Sequence, residues 1–126
     1  FGLPARSCAF EIDMDALISQ MSEQPIQVKG VSTFPLAKED IALVVPSDIP
    51  ASRVEQIVRQ GAGQLAESVT LFDIYEGDQV PEGYRSLAFA LRLRAADHTL
   101  TAKESSQVRE QVVAKASKVL GASLRA

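Results

Sequence analysis

The stretch Ser86-Leu87-Ala88-Phe89-Ala90-Leu91-Arg92-Leu93-Arg94 decides the fold. Leu87, Phe89, Leu91 and Leu93 alternate with Ser86, Ala88, Ala90, Arg92 and Arg94. Successive side chains on a strand point to opposite faces, so this alternation predicts a strand with one face in an apolar core. The other face is small at one end and carries guanidiniums at the other. Small side chains leave room for a flat group to lie on the sheet, and arginines attract anions. Single-stranded RNA, whose bases splay out to be read, suits such a surface. A solvated sheet face accounts for the same pattern.

The same reasoning extends on both sides of this strand. Asp40 to Val45 reads as a first strand, with Ile41, Leu43 and Val45 on one face and Asp40, Ala42 and Val44 on the other. Pro50 suits a first helical turn, where its missing N–H has no partner to lose. Val54, Ile57, Val58, Gly61, Ala62 and Leu65 then recur at helical spacing. Gly61 and Gly63 weaken that helix near its end or bring it close to the sheet. Residues 69 to 76 read as a second strand, with Phe72 and Ile74 facing one way and Leu71, Asp73 and Tyr75 the other. Gly77 to Gly83 is a hairpin loop, and Tyr84 to Ala95 is the third strand. Thr101 and Glu104 have the spacing of a capping box that opens a second helix. Its apolar stripe is Val108, Val112, Ala116, Val119 and Leu120, and Gly121 fits its C-cap. Ala122 to Arg125 leaves room for a short last strand.

The order is strand, helix, strand, strand, helix, strand, which is the split βαβ arrangement of ferredoxin-like α+β folds. Right-handed crossovers place both helices on one face of a four-stranded antiparallel sheet and leave the other face open. The helix side is predicted to hold Ile41, Leu43, Val45, Phe72, Ile74, Leu87, Phe89, Leu91 and Leu124. The open side is predicted to hold Asp40, Ala42, Val44, Leu71, Asp73, Tyr75, Ser86, Ala88, Ala90, Arg92, Ser123 and Arg125.

Residues 1–33 read separately, as the tail of a preceding domain plus a linker, with the ferredoxin-like domain at 34–126. Phe10, Ile12 and Met14 alternate with Glu11 and Asp13 as in a short strand, and Asp15 is placed to cap a helical turn through Ala16, Leu17 and Ile18. The polar run from Ser22 to Gln24, with Pro25, reads as linker. A start at Phe1 rather than Met points to a processed product or a fragment of a longer chain.

Composition narrows the function classes. A chain of 126 residues supports one core. No apolar run approaches the roughly 20 residues of a membrane-spanning helix, so no membrane partner is expected. Cys8 is the only cysteine, so an internal disulfide is impossible and a cytoplasmic location is the default. The net charge of −3 argues against non-specific nucleic-acid binding, which rests on many phosphate contacts. Contacts with RNA are then few and local. No catalytic constellation or metal site stands out: His98 reads as a turn residue between Asp97 and Thr99, and Gly61-Ala62-Gly63 lies at a helix end rather than after a strand.

The open-face set offers recognition chemistry instead. Tyr75 presents a plate on which a base can stack. Asp73 can accept from guanine N1–H and N2–H₂, which favours guanine over adenine. Ser86 can donate or accept. Ala42 and Ala88 have no bulk to keep a base from the backbone, and Arg92 and Arg125 can hold phosphates. Tyr75 covering the sheet and Asp73 capping a turn is the alternative.

The chain from Ser32 to Arg125 resembles the C-terminal ferredoxin-like anticodon-binding domain of bacterial phenylalanyl-tRNA synthetase beta subunits. The residues that carry the likeness are Phe34-Pro35, Asp40 to Val45, Leu71 to Tyr75, Gly83, Ser86-Leu87-Ala88, Thr99-Leu100-Thr101, Glu104 and Gly121 to Arg125. Residues 10 to 18 look like the end of the preceding catalytic-like domain of that subunit. The resemblance implies a module without a catalytic site, inside an enzyme that joins phenylalanine to tRNA using ATP and magnesium. The fragment itself then needs no cofactor. The implied partners are the anticodon arm of phenylalanine tRNA and an alpha subunit in an alpha2-beta2 heterotetramer, with the isolated fragment monomeric. It also implies that the first anticodon base, a guanine, is read on the open face by Ala42, Asp73, Tyr75 and Ser86. Asp40, Ala88, Arg92 and Arg125 complete the RNA-binding set expected here. One departure stands out: the family often has a basic pair before the first strand's aspartate, where this chain has Lys38-Glu39, so Arg92, Arg94 or Arg125 is expected to compensate. An amino-acid-sensing domain and a subunit-docking module are the rival readings of the same fold, which does not separate them.

Overall fold

The computed structural model describes residues 2–4, 6–21 and 32–125. It divides into two compact units, Phe1–Gly30 and Val31–Ala126. In the first, helix α1 spans Met14–Ser19. Asp13, not Asp15, caps it: the Asp13 carboxylate accepts from the N–H groups of Asp15 and Ala16. Where alternation predicted a strand at Phe10 to Met14, residues 10–13 have no regular structure and Met14 opens the helix. None of the residues of α1 is buried. The expected linker at Ser22 to Pro25 lies outside the described residues.

The second unit runs β1 (Ala37–Pro46), α2 (Ala51–Ala62), β2 (Ala66–Tyr75), β3 (Tyr84–Leu93), α3 (Ala102–Leu120) and β4 (Ser123–Leu124). The strands form one sheet in the order β2-β3-β1-β4, with every neighbouring pair antiparallel. Ile41, Leu43, Val45, Leu87, Phe89, Leu91 and Leu93 are buried in one cluster with Val54, Ile57 and Val58 of α2 and Val108, Val112 and Ala116 of α3. Both helices therefore cover the same face of the sheet. The residues that alternate with this set, such as Ala42, Val44, Ala88, Ala90 and Arg92, remain partly accessible on the other face.

Local signals account for the helix ends. The Thr101 hydroxyl accepts from the Glu104 N–H while the Glu104 carboxylate accepts from the Thr101 N–H, completing the capping box. Gly121 closes α3 in the left-handed region at φ 65, a conformation glycine adopts without steric penalty. Gly61 brings α2 close to α3, not to the sheet: a Cβ there would stand 2.8 Å from the Val112 Cα.

The register of β2 against β3 shifts twice, between Ala66 and Ser68 and again between Leu71 and Asp73. Leu71 pairs with Phe89 but Asp73 pairs with Ala88, so two residues of β2 oppose one of β3. This bulge leaves Phe72 as the extra residue. Leu71, expected on the open face, shares the core side with Phe89 and packs against the core. Phe72, expected in the core, is 59% exposed and lines hollows on the open face. Ile74 and Leu124 oppose the buried Leu87 and Leu43, as alternation requires, yet both are exposed. They lie on the two edge strands of the sheet.

β3 ends at Leu93 rather than Ala95 because Arg94 leaves the ladder. Its backbone N–H donates to the Leu65 carbonyl at 2.9 Å. Its guanidinium donates to the Ser32 carbonyl and pairs with Glu67, both at 2.5 Å. Arg94 ties the entry of the domain to the sheet and is not free to compensate on the open face.

Candidate nucleic-acid interface

Cross-strand pairing arranges the open face in transverse rows. The first runs Tyr75, Ser86, Val44 and Ser123 across β2, β3, β1 and β4. The second runs Asp73, Ala88 and Ala42, and the Arg125 N–H donates to the Ala42 carbonyl at 2.8 Å. The third runs Thr70, Ala90 and Asp40, and the fourth Ser68, Arg92 and Lys38. Neighbouring strands lie about 4.8 Å apart and alternate residues about 7 Å apart along a strand. Tyr75, Asp73, Ser86, Ala88 and Ala42 therefore share a patch the size of one nucleobase and its surroundings.

Arg125 covers the Tyr75 end of this patch. Its guanidinium carbon lies 4.4 Å from the centroid of the Tyr75 ring. Its Nη2 donates to Gln79 Oε1 at 2.5 Å. Side chains from the two edges of the sheet thus meet on this face. At its far end the Tyr75 hydroxyl rests against Gly77, where an added Cβ would stand 2.5 Å from that oxygen. Ser86, although on the open face, is only 2% exposed. A ligand that reaches its hydroxyl requires side chains on this face to move.

Asp40 and Arg92 belong to a neighbouring hollow of ≈ 390 Å³, lined also by Ser68, Thr70, Phe72 and Ala90. A second hollow of ≈ 420 Å³ lies over Ala42, Ala88 and Phe72 and extends to Leu124, Arg125 and Arg109. Sequence reasoning missed Phe72 and Arg109. No glycine or proline marks the bulge that turns Phe72 outward. Arg109 belongs to a helix assigned to the opposite face, and it lines this hollow at the sheet edge where β4 is only two residues long. Lys38 lies directly opposite Arg92 on this face, whereas Glu39 opposes the buried Leu91.

His98 is more engaged than its turn position suggested. Its Nδ1 lies 2.7 Å from Asp97 Oδ1 and its Nε2 3.1 Å from Glu104 Oε1. The hydrogen bond with Asp97, followed by that with Glu104, raises its pKa above 6.5. The Thr101 N–H, then the Thr101 hydroxyl and His98, hold Glu104 down to about 2. The cluster fastens the start of α3.

An antiparallel four-stranded sheet with both helices on one side and an accessible aromatic and polar face on the other defines a ferredoxin-like α+β domain. Residues 32–125 match the ferredoxin-fold anticodon binding domain, and the chain belongs to that family. It is similar to phenylalanine–tRNA ligase beta subunits: 49% identical to that of Thermobifida fusca over 99% of this chain, and 50% identical to that of Streptomyces avermitilis over 98%. The beta subunit of Mycobacterium leprae is 41% identical over 98%. The chain spans about 15% of the length of these relatives (15% of the first two, 14% of the third).

Proposed function

We propose that this chain binds the anticodon arm of phenylalanine tRNA as a domain of a phenylalanine–tRNA ligase beta subunit. In this reading the base stacks on Tyr75, and the Asp73 carboxylate accepts from guanine N1–H and N2–H₂. Ser86 supplies a hydroxyl, and Ala42 and Ala88 let the base lie close to the sheet. Arg125 leaves the Tyr75 ring and meets the backbone. The observation that carries the reading is the adjacency of Tyr75, Asp73 and Ser86 on the helix-free face, within a domain of the anticodon-binding family. The net charge of −3 fits a surface that reads a few groups rather than a long stretch of phosphates.

Joining phenylalanine to tRNA, with ATP and magnesium and an alpha subunit in an alpha2-beta2 assembly in the cytoplasm, belongs to the whole enzyme. Among the described residues no cluster of three or more His, Cys, Asp or Glu side chains could hold a metal. This chain's own part is to bind and orient RNA. No helix among the described residues is long and apolar enough to cross a membrane. Residues 1–33 fit the end of a preceding domain and a linker.

The test is binding of anticodon stem-loops that differ only in the first anticodon base. Tyr75→Ala is expected to weaken binding by about 1–3 kcal/mol, the range for one stacked base. Equal affinity of Tyr75→Ala, Asp73→Ala and the parent chain for the guanine stem-loop would sink the reading.

A further inference from the structure

We infer that Phe72, with Lys38 and Arg92, forms a second nucleotide subsite on the open face, taking a base next to the one stacked on Tyr75. The inference rests on the anticodon-arm reading and names a contact that reading does not use.

Phe72 is the bulged residue of β2, and it is 59% exposed on a face where its strand neighbours Thr70 and Asp73 are polar. A large aromatic ring in that position contributes little to the core. It borders both hollows, so it stands between the Tyr75–Asp73 patch and the row of Arg92. Rows lie about 7 Å apart, a step that neighbouring nucleotides of a splayed single strand can span.

The far hollow carries what a nucleotide needs beside a stacking plate. Asp40 accepts, Ser68 and Thr70 donate or accept, and Ala90 adds no bulk. Lys38 and Arg92 are direct cross-strand partners. Like charges placed so are mutually destabilising. Neither has an ion-pair partner among the described residues. A phosphate between them would relieve the repulsion and fix the nucleotide whose base lies on Phe72. A docked apolar protein surface would instead bury both cations unpaired, so the charge pattern favours RNA.

The experiment uses phenylalanine anticodon stem-loops, one intact and others with a single abasic nucleotide on either side of the first anticodon base. Phe72→Ala, expected to fold because its side chain lies outside the core, should weaken the intact stem-loop about 5- to 150-fold. With one of the two abasic loops the variant and parent should bind alike, because the stacking partner is already missing. Phe72→Trp should retain binding. Affinity within twofold of the parent for Phe72→Ala, or the same penalty on every loop, would overturn the inference. Tyr75→Ala separates the two failures. If it weakens binding while Phe72→Ala does not, only the second subsite is lost. If both are silent, the anticodon-arm reading falls as well.

Discussion

The guanidinium of Arg125 covers the ring of Tyr75, 4.4 Å from its centroid, although the two residues come from opposite edges of the sheet. A cation–π contact at such a site is worth about 0.5–1 kcal/mol, less than a stacked base contributes. A base can therefore displace it, and the freed guanidinium remains close enough to meet a phosphate. Arg125→Gln uncovers the ring and removes one charge. The expected outcome is a salt dependence of stem-loop binding that is shallower by about 0.7 in log K against log salt, the contribution of one contact to a single strand. Titrations at several salt concentrations measure it, and parallel lines for variant and parent would exclude a phosphate role for Arg125.

Asp73 is exposed and lies opposite Ala88, so nothing on the neighbouring strand crowds its carboxylate. Two acceptor oxygens match the two donors on one edge of guanine. Asp73→Asn replaces one acceptor by a donor, which opposes a donor on guanine. Hydrogen bonds to charged groups are worth about 1.5–3 kcal/mol each, so most of the preference for guanine over adenine should disappear. The ratio of the two dissociation constants is the readout. An unchanged ratio would place base selection elsewhere.

Gly77 sets where Tyr75 lies without holding the fold together. An added Cβ would meet the hydroxyl end of the ring, at 2.5 Å from the oxygen and 2.7 Å from Cζ. The ring can swing away, because those atoms are the far end of a side chain. Gly77→Ala should unfold at the parent's temperature yet bind the stem-loop more weakly. A loss of stability equal to the loss of binding would mean that the loop, not the ring, was disturbed.

How far the sequence was readable depended on how local each cause is. The capping box of Thr101 and Glu104 needs residues three apart, and it formed as expected. Ser86 to Leu93 alternates without interruption, so its faces followed from counting. The count failed at Phe72 because a bulge adds one residue, and nothing in Leu71-Phe72-Asp73 announces it. Asp73 and Tyr75 nevertheless face the open side, since the shift falls before them. The cover of Arg125 over Tyr75, the bond from Arg94 to Ser32 and the approach of Gly61 to Val112 join residues far apart in the chain. Each depends on packing that no local pattern encodes.

Gly61 carries the opposite prediction to Gly77. Its added Cβ would stand 2.8 Å from the Val112 Cα, a backbone atom that retreats only if α2 and α3 separate. Overpacking of this kind costs about 1–3 kcal/mol, and alanine's better helix propensity returns up to about 1 kcal/mol. Gly61→Ala should therefore lower the unfolding free energy by about 1–2 kcal/mol. Stem-loop affinity should be unchanged at temperatures where the variant is folded. Denaturant unfolding and a binding titration test both halves, and a stabilised variant would show that the helices have slack.

The cluster at the start of α3 gives stability a pH dependence of definite sign. The pKa of His98 is raised in the folded state, first by its hydrogen bond with Asp97 and then by Glu104. Its contribution is complete below the ordinary value of 6.5 and is lost as pH rises through the folded value. Glu104 is shifted the other way, from 4.5 to about 2, chiefly by the Thr101 N–H. Its contribution is complete above 4.5 and disappears as pH falls toward about 2. Stability from this cluster is therefore greatest between those two ordinary values. All three ionisable groups lie at the surface, so the effect is small and weakens with salt. Thermal unfolding followed across pH should show the alkaline decline flattened in His98→Gln and the acid decline flattened in Glu104→Gln. If both variants trace the parent's profile, these contacts form in the folded chain without contributing to its stability.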